Sequence, residues 1–415
     1  MLQVGIDFGT TNSVIAVAGD DGTTRSARFG TEQVFRSVLC FWTEEQRAGV
    51  GLKYAAGPEA IAAYLDDPHD SRLIMSMKTY LAQRSFVETR IFGRRFTLPD
   101  LISQFLQTLA AAAKLDPAGV RVVAGRPVRF AGEFADDAFG EARLRESFHA
   151  AGFRDVSIAL EPEGAGWRFA RSLTRPATVL VGDFGGGTSD FSVLRFVPGT
   201  PVTPVGHAGV GIAGDVFDYR IIDKAISPLL GKGDTYRILG KDMPIPIEYY
   251  ASFAHWHRLS LMRGPKTLRE LADLARTAQH PDRLRALIAL IEDEQGFPLY
   301  QAVSQVKAAL SNADSAVLRF AHAELAIDRT VTRAEFEDWI APDLARMGIA
   351  VDKALEDAGL DAAGIDHVFL TGGTSFVPAV RRLFESRFGS EKVTAGDEFV
   401  SVAEGLALMG RPDGR

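Results

Sequence analysis

Two stretches decide the fold: GIDFGTTNS at residues 5–13 and GDFGGGTSD at residues 182–190. In each, an apolar run ends in an aspartate, a turn rich in glycine and hydroxyl residues follows, and a second apolar run begins. That order is typical of a β-hairpin. Asp7 and Asp183 hold the same place in the two stretches, 176 residues apart (183 − 7 = 176). An internal repeat at this distance predicts two similar lobes.

The residues around the hairpins alternate between strand and helix patterns, which predicts an α/β fold with helical crossovers. Apolar spacing and turn residues predict strands at 2–7, 13–18, 24–29, 120–124, 156–160, 177–183, 190–196, 202–207 and 366–370. The same signals predict helices at 99–113, 133–151, 333–358, 377–388 and 401–409, and a helical stretch over 215–311.

The composition limits the classes of function that this chain can have. The chain has 415 residues, 46% hydrophobic and 24% charged, which is typical of a globular protein with more than one core. Its 53 acidic and 46 basic residues argue against nucleic-acid binding. Cys40 is the only cysteine, so an internal disulfide is excluded. A strand that begins at Leu2 leaves no room for a signal peptide, and no apolar run reaches membrane-span length. We therefore expect a cytoplasmic protein without a membrane partner.

The two hairpins suit a nucleotide phosphate with magnesium. Glycines let backbone N–H groups approach phosphate oxygens, and threonine hydroxyls can reach the same oxygens. Mg²⁺ keeps several waters and takes one or two carboxylates, for which Asp7 and Asp183 are the candidates. Two such hairpins facing one another would hold the phosphates from both sides. A third glycine-rich turn, LTGGTSF at residues 370–376, follows a strand and opens a helix, where anionic groups are favoured.

With LTGGTSFVP at 370–378, these motifs resemble the two phosphate motifs and the adenosine motif of the actin, hexokinase and DnaK superfamily. The likeness is strongest to the DnaK-type heat-shock protein 70 family. It extends to RSVLCFW, GPEAIAAY and SMKTYLA between residues 36 and 82, and to EPEGA at 161–165. The resemblance runs from Met1 to about Met409 and is best to short bacterial relatives of the YegD type. It implies an α/β actin-like ATPase fold: two duplicated lobes, each a mixed sheet with flanking helices, and a nucleotide in the cleft between them.

The resemblance also implies roles for individual residues. Asp7 and Asp183 would hold the magnesium shell, Lys78 would position the attacking water, and Glu161 and Asp190 would orient water and magnesium, with Thr188 at the phosphates. The remaining residues implied to bind ATP or ADP are Gly9, Thr10, Thr11, Asn12, Gly185, Gly186, Gly187, Gly214, Lys307, Ser311, Gly372, Gly373, Thr374 and Phe376. Two positions depart from the family pattern. Ser304 stands where relatives have glutamate, and Phe376 replaces an arginine.

The domain boundaries predicted from the motifs divide the chain into two lobes. Lobe I covers residues 1–174, with an insert at about 36–98, and is completed by a C-terminal helix within about 395–415. Lobe II covers 175–394, with a largely helical insert at about 215–311. We expect no peptide-binding domain in this chain, so any client protein or co-chaperone would bind outside the cleft.

Other functions remain open at the level of sequence. A small-molecule kinase of the same fold, acting on a sugar or an acid, would need a carboxylate base near the phosphates, and Lys78 in the water-positioning role argues against it. An actin-like filament or binding module, or an ATP sensor that no longer hydrolyses, are further alternatives. His255 and His257 flank Trp256 without a metal-binding motif, so we interpret them as structural or surface residues.

Overall fold

The chain folds into two compact units. A computed structural model describes residues 1–46, 49–132, 134–171, 173–198, 200, 202–254, 262–395 and 400–410. The first unit comprises residues 1–214 and 344–415, and the second comprises residues 215–343. Both predicted hairpins belong to the first unit. The predicted role of His255 and His257 lies outside the described residues.

The first part of the chain begins with strands and continues as strand–helix alternation. Its elements are β1 (Leu2–Phe8), β2 (Asn12–Ala18), β3 (Thr24–Ser26), β4 (Phe35–Arg36), β5 (Leu39–Gln46), β6 (Gly49–Ala56), α1 (Pro58–Asp66), β7 (Ser71–Ile74), β8 (Glu88–Ile91), β9 (Arg94–Thr97), α2 (Leu98–Ala112), β10 (Val120–Arg126), α3 (Asp137–Ala150), β11 (Asp155–Leu160) and α4 (Glu161–Ala170).

The second part repeats the hairpin and then enters a long, mainly helical stretch. It contains β12 (Ala177–Phe184), β13 (Ser189–Phe196), β14 (Thr203–Val210), α5 (Gly214–Ile221), β15 (Thr235–Ile238), β16 (Lys241–Pro244), α6 (Ile247–Ala254), α7 (Pro265–Ala275), α8 (Pro281–Glu292), α9 (Gly296–Asn312), β17 (Ser315–His322), β18 (Leu325–Thr332), α10 (Arg333–Asp357), β19 (His367–Thr371), α11 (Pro378–Phe388), β20 (Val393–Ala395) and α12 (Ser401–Met409).

The two large sheets of the first unit have the same strand order. One runs β3-β2-β1-β10-β11, with β4 also paired to β2, and the other runs β14-β13-β12-β19-β20. In both, the first three strands are antiparallel and the last two continue the sheet in parallel. The duplication inferred from the motifs is therefore a duplication of topology as well. The fold is α/β, with mixed sheets and flanking helices, as in actin-like ATPases.

The two hairpins also share their register. Asp7 lies opposite Val14 in the first, and Asp183 lies opposite Asp190 in the second. Both pairs are separated by seven residues (14 − 7 and 190 − 183), so the turns have equal lengths. Because register fixes which side chains share a face of a sheet, Asp7 and Asp183 stand at equivalent points of their sheets.

Two helices pack at the centre of the first unit through glycines. A Cβ added to Gly5 of β1 would lie 2.0 Å from the carbonyl oxygen of Ala403, so α12 rests directly on the first sheet. A Cβ on Gly166 of α4 would lie 2.0 Å from Leu194 of the second sheet. The helices meet each other where a Cβ on Gly405 would lie 1.6 Å from the carbonyl oxygen of Gly164. Only glycine permits this approach of backbone to backbone.

An additional layer precedes α2, where a three-stranded sheet (β6-β5-β7) lies beside α1 and the β8–β9 hairpin follows in the chain. Phe35 and Phe41 are buried in the same core cluster as Phe8 and Phe105. The ring centroids of Phe8 and Phe105 are 5.5 Å apart. The cluster joins this layer to the first large sheet.

Some predicted elements differ from the observed ones. The third strand of the first sheet ends at Ser26 rather than residue 29. The helix predicted at 133–151 begins at Asp137, because the Asp136 carboxylate caps its N-terminus at Phe139 N, 3.0 Å away, and residue 133 lies outside the described residues. The stretch at 215–311 contains the β15–β16 hairpin. Its two-residue turn holds Leu239 and Gly240 at φ 49° and 77°, the combination that type I′ hairpin turns require.

The second unit packs its helices beside two hairpins. Within the stretch predicted to be helical, Leu284, Leu287 and Ile291 lie buried on α8, and Ile288 on the same helix is half-buried. Strands β17 and β18 pair over their whole length, from Ser315 opposite Thr332 to His322 opposite Leu325. Among the described residues, no helix combines the length and apolarity needed to cross a membrane.

Candidate phosphate site between two hairpins

The turns of the two hairpins lie close to each other within the first unit. A Cβ added to Gly187 would be 3.4 Å from the Thr10 hydroxyl oxygen and 3.9 Å from that of Thr79. Gly9 closes on its own hairpin, since a Cβ there would be 2.1 Å from the carbonyl oxygen of Asn12. The glycine-rich turn of one hairpin therefore faces the hydroxyls of the other. Gly185 is exposed, while Thr10, Thr11, Asn12, Gly186, Gly187 and Thr188 are half-buried.

Lys78 reaches the same region from a short 3₁₀ turn at Met77–Tyr80. The turn is preceded by Ser76, a buried residue with φ 53°. A non-glycine residue in this left-handed region is strained, and such strain is typical of sites where the surrounding structure fixes the backbone. Lys78 itself is only 7% exposed, which is uncommon for lysine unless it is paired.

The partner of Lys78 is Glu161, the first residue of α4. The Lys78 Nζ and Glu161 Oε1 atoms are 2.5 Å apart, and Glu161 is 6% exposed. Glu161 follows directly on β11, so its position is set by the parallel strands β10 and β11. Burial alone would lower the pKa of Lys78, but the carboxylates of Glu161 and Asp7 outweigh it and the pKa is raised. Lys78 is therefore a buried permanent cation.

Carboxylates dominate the electrostatics around this cation. Burial, with Glu161 nearby, raises the pKa of Asp7 to about 7, although Lys78 opposes the shift. Burial raises the pKa of Asp183 well above its usual value, and the charges of Glu161 and Asp7 add to the effect. The two aspartates of the repeat, on different hairpins, thus lie close enough to influence one another's ionisation.

Asp190 links the second hairpin to the loop after β10. Its Oδ1 accepts hydrogen bonds from Val128 N at 2.8 Å and Arg129 N at 3.2 Å. It is 1% exposed, and burial, followed by the charge of Glu161, raises its pKa to about 7. Asp190 therefore joins the second sheet to the loop that follows β10, a contact that its sequence motif did not indicate.

The donor set fits a hydrated magnesium ion bound together with phosphates. The pKa values of Asp7 and Asp183 are raised mainly by burial, and a bound divalent cation would favour their ionised forms. Over the described residues, no group of three or more histidine, cysteine, aspartate or glutamate side chains forms a metal cage. Asp7 and Asp183 are two carboxylates, and hydrated Mg²⁺ takes one or two.

The third glycine-rich turn lies beside the second hairpin. Thr371 at the end of β19 is the register partner of Asp183. Gly372 follows with φ 86°, and a Cβ there would be 2.1 Å from the carbonyl oxygen of Phe184, so glycine is required. Gly373 and Phe376 are exposed and Thr374 is buried in the 3₁₀ turn that precedes α11.

Two of the predicted nucleotide residues lie in the second unit, on α9. The Lys307 Nζ is 2.7 Å from Asp218 Oδ2, and Ser311 is half-buried one helical turn further on. Ser304 is half-buried on the same helix. Gly214, at the start of α5, is buried in the first unit.

Three contacts near the site escaped the sequence analysis. The Arg36 Nη1 donates to Asn12 Oδ1 at 3.0 Å, so the Asn12 side chain already has a protein partner. Thr79 faces Gly187, as its place beside Lys78 could have indicated. Arg143 is buried on α3 next to the turn that carries Lys78. The spacing of the buried residues of α3 contained this last signal: Gly140, Arg143, Leu144, Ser147 and Phe148 follow an apolar-face pattern.

Fold and site together define an actin-like ATPase architecture. A family model described as "Hsp70 protein" matches residues 291–411. Over 420 aligned positions, the chain is 28% and 27% identical to the chaperone protein DnaK of two strains of Thermus thermophilus. In both cases the alignment covers 98% of this chain and 60% of the relative. The chain is thus similar to the Hsp70 family, and it spans about 60% of the length of these relatives.

Proposed function

We propose that this chain binds ATP with magnesium and hydrolyses it to ADP as a chaperone-related ATPase of the Hsp70 type. The observation that carries the proposal is the meeting of the two hairpin turns, Gly187 against Thr10, beside the buried Lys78–Glu161 pair. A triphosphate needs backbone N–H groups, hydroxyls and a fixed cation at one place, and all three converge here.

The proposed roles follow from the chemistry of each group. The Lys78 ammonium, buried and permanently charged, orients the attacking water and stabilises the negative charge that develops in the transition state. Glu161 holds Lys78 in place and accepts hydrogen bonds from that water. Thr10 and Thr188 donate hydroxyl hydrogens to phosphate oxygens, and the turns Gly9 to Asn12 and Gly185 to Gly187 supply backbone N–H groups.

Asp7 and Asp183 would hold the hydrated magnesium ion, which neutralises phosphate charge when bound. Asp190, fixed by two backbone N–H groups of the loop after β10, would help to orient water and magnesium. On the adenosine side we propose Gly214, Lys307, Ser311, Gly372, Gly373, Thr374 and Phe376. The Phe376 ring, exposed at the end of its turn, offers a stacking face for the base.

We further propose that nucleotide binding draws lobe I (1–174) and lobe II (175–394) together and that closure reports the nucleotide state to a client protein or a co-chaperone. The relatives named as DnaK chaperones support this wider role. In this proposal the two hairpins exchange between an open and a closed state. The nucleotide shifts the population toward the closed state because it binds that state more tightly.

The test combines calorimetric binding of ATP and ADP, with and without Mg²⁺, and a phosphate-release assay. We expect magnesium-dependent binding and turnover. We expect Lys78→Ala to abolish turnover while nucleotide affinity stays within about threefold, since the lysine acts mainly on the transition state. Lys53→Ala, a change at an exposed lysine paired with Glu44, is the matched control. Absence of nucleotide binding, or unchanged turnover in Lys78→Ala, would refute the proposal. Phosphorylation of a sugar or acid far above hydrolysis would identify a kinase instead.

A further inference from the structure

Lys78 sits on a turn that has little secondary structure to hold it. The residues from Ser76 to Phe86 contain one 3₁₀ turn, Met77–Tyr80, and then irregular chain up to β8. Four backbone hydrogen bonds are local to this segment: Thr79 N to Ser76 O at 3.0 Å, Leu81 N to Lys78 O at 3.2 Å, Gln83 N to Tyr80 O at 3.2 Å and Phe86 N to Gln83 O at 3.1 Å. Contacts from outside the turn must therefore hold the backbone that carries Lys78 in position.

Arg143 of α3 provides four of the contacts that fix the loop, and Asp136 N, which donates to Ala82 O at 3.1 Å, provides another. The Arg143 Nη1 donates to the carbonyl oxygens of Tyr80 at 3.2 Å, Leu81 at 3.2 Å and Gln83 at 3.4 Å, and its Nη2 donates to Phe86 O at 3.2 Å. One planar guanidinium thus donates hydrogen bonds to four carbonyl oxygens within the seven loop residues 80–86. The carbonyls of Tyr80 and Leu81 are among those at the C-terminal end of the 3₁₀ turn, where a cation is favoured.

The surroundings of Arg143 make this arrangement rigid. The residue is 6% exposed, and its guanidinium carbon stands 5.0 Å from the centroid of the Phe139 ring, one turn earlier on α3. Burial lowers the pKa of Arg143, yet an arginine remains charged in proteins. A lysine in its place would offer a single ammonium in place of the planar fork, and could not reach both ends of the loop.

The geometry points to Arg143 as a positioning residue for Lys78: its guanidinium clamps the loop at residues 80–86 and so holds the Lys78 ammonium against Glu161. Arg143 touches no group of the reaction itself and acts through the backbone. The expected effect on kcat rests on the proposed ATPase function. The position of the Lys78 side chain does not depend on that function and can be tested separately.

The test uses Arg143→Lys, with Arg145→Lys as the matched control. Arg145 lies on the same helix and donates to one backbone carbonyl, that of Val156 at 2.9 Å, away from the Lys78 loop. We expect Arg143→Lys to lower kcat for ATP hydrolysis at least about tenfold, because a small displacement of a catalytic group is costly, while the Kd for ATP changes less than about threefold. Arg145→Lys leaves both values near those of the wild type.

A second readout does not depend on ATP turnover. The readout is the rate at which an amine-acylating reagent labels Lys78, measured by peptide mass spectrometry with Lys53 as the internal reference. In the wild type, the buried and paired Lys78 amine should react slowly. In Arg143→Lys, we expect labelling of Lys78 relative to Lys53 to be at least about fivefold faster, because a lysine released from a buried site becomes accessible. Faster labelling in a protein without ATPase activity would overturn the proposed function and retain the clamp. Wild-type kcat together with wild-type labelling in Arg143→Lys would overturn the clamp. Should Arg143→Lys fail to fold by circular dichroism, Arg143→Gln, which can still donate to two carbonyls, is measured in the same way.

Discussion

The Lys78–Glu161 ion pair gives the strongest quantitative prediction. Its side chains are 8% and 7% exposed and its atoms are 2.5 Å apart, so figures for buried pairs apply to it. Removing one partner of a buried pair costs about 3–5 kcal/mol, because the other charge is left uncompensated. We expect Lys78→Met to lower the free energy of unfolding of the nucleotide-free protein by about 3 kcal/mol or more at pH 8.

The two single changes are not equivalent. Glu161→Gln removes one of several carboxylates around Lys78, and Asp7, whose pKa of about 7 leaves it ionised at pH 8, still compensates the lysine. Its cost should therefore be smaller than that of Lys78→Met. The double variant should cost less than the sum of the single changes, with a coupling energy of about 1–3 kcal/mol.

The assay is equilibrium urea unfolding in the absence of nucleotide, followed by circular dichroism and by tryptophan fluorescence, so that non-coincident transitions are recognised. The control is the cross-strand pair of Arg121 and Asp155, which has a comparable distance of 2.8 Å but side chains 41% and 43% exposed. Its cycle, with Arg121→Met and Asp155→Asn, should give at most about 1 kcal/mol. A coupling energy for Lys78 and Glu161 no larger than that of the control would refute the reasoning.

Two further predictions concern pH and packing. Because the pKa of Asp190 is raised from 3.8 to about 7 in the folded protein, the folded state holds one more proton than the unfolded state between these values, and the free energy of unfolding falls as pH rises through this range, by up to about 1.4 kcal/mol per pH unit. Asp190→Asn keeps an oxygen for the N–H groups of Val128 and Arg129 and should lose the Asp190 contribution to this dependence, while those of Asp7 and Asp183 remain. A stability difference between wild type and variant that stays constant from pH 5 to pH 7 would contradict the shift. Gly405→Ala places a Cβ 1.6 Å from the Gly164 carbonyl oxygen and should destabilise the protein by about 3 kcal/mol or more in the same urea assay, since overpacking at backbone contacts is at the costly end of its range. Wild-type stability would show that α4 and α12 do not cross there.

The duplicated hairpins can be predicted because their signal is local. Apolar runs, an aspartate and a glycine turn fix both strands and register, so the equivalence of Asp7 and Asp183 follows from the residues alone. The final helix at Ser401–Met409 is predicted with its observed bounds for the same reason.

Contacts between distant segments cannot be predicted in this way. The bonds from Val128 and Arg129 to Asp190 span more than sixty residues, and no periodicity encodes them. Arg143 illustrates the difference well. Helical spacing puts it on the buried face of α3, but only the folded loop at residues 80–86 shows that its guanidinium donates to backbone carbonyls there. The β15–β16 hairpin is missed because one glycine, Gly240, is its only turn signal within an otherwise helix-rich stretch.

The central claim is that one metal-bound triphosphate joins both hairpins, and a crystal structure with magnesium and a non-hydrolysable ATP analogue tests it most directly. The account predicts the phosphates between the turn of Thr10 and the turn of Gly187, the magnesium shell within reach of Asp7 and Asp183, and the Lys78 ammonium beside the γ-phosphate. A nucleotide bound elsewhere, or phosphates contacting one hairpin alone, would contradict it.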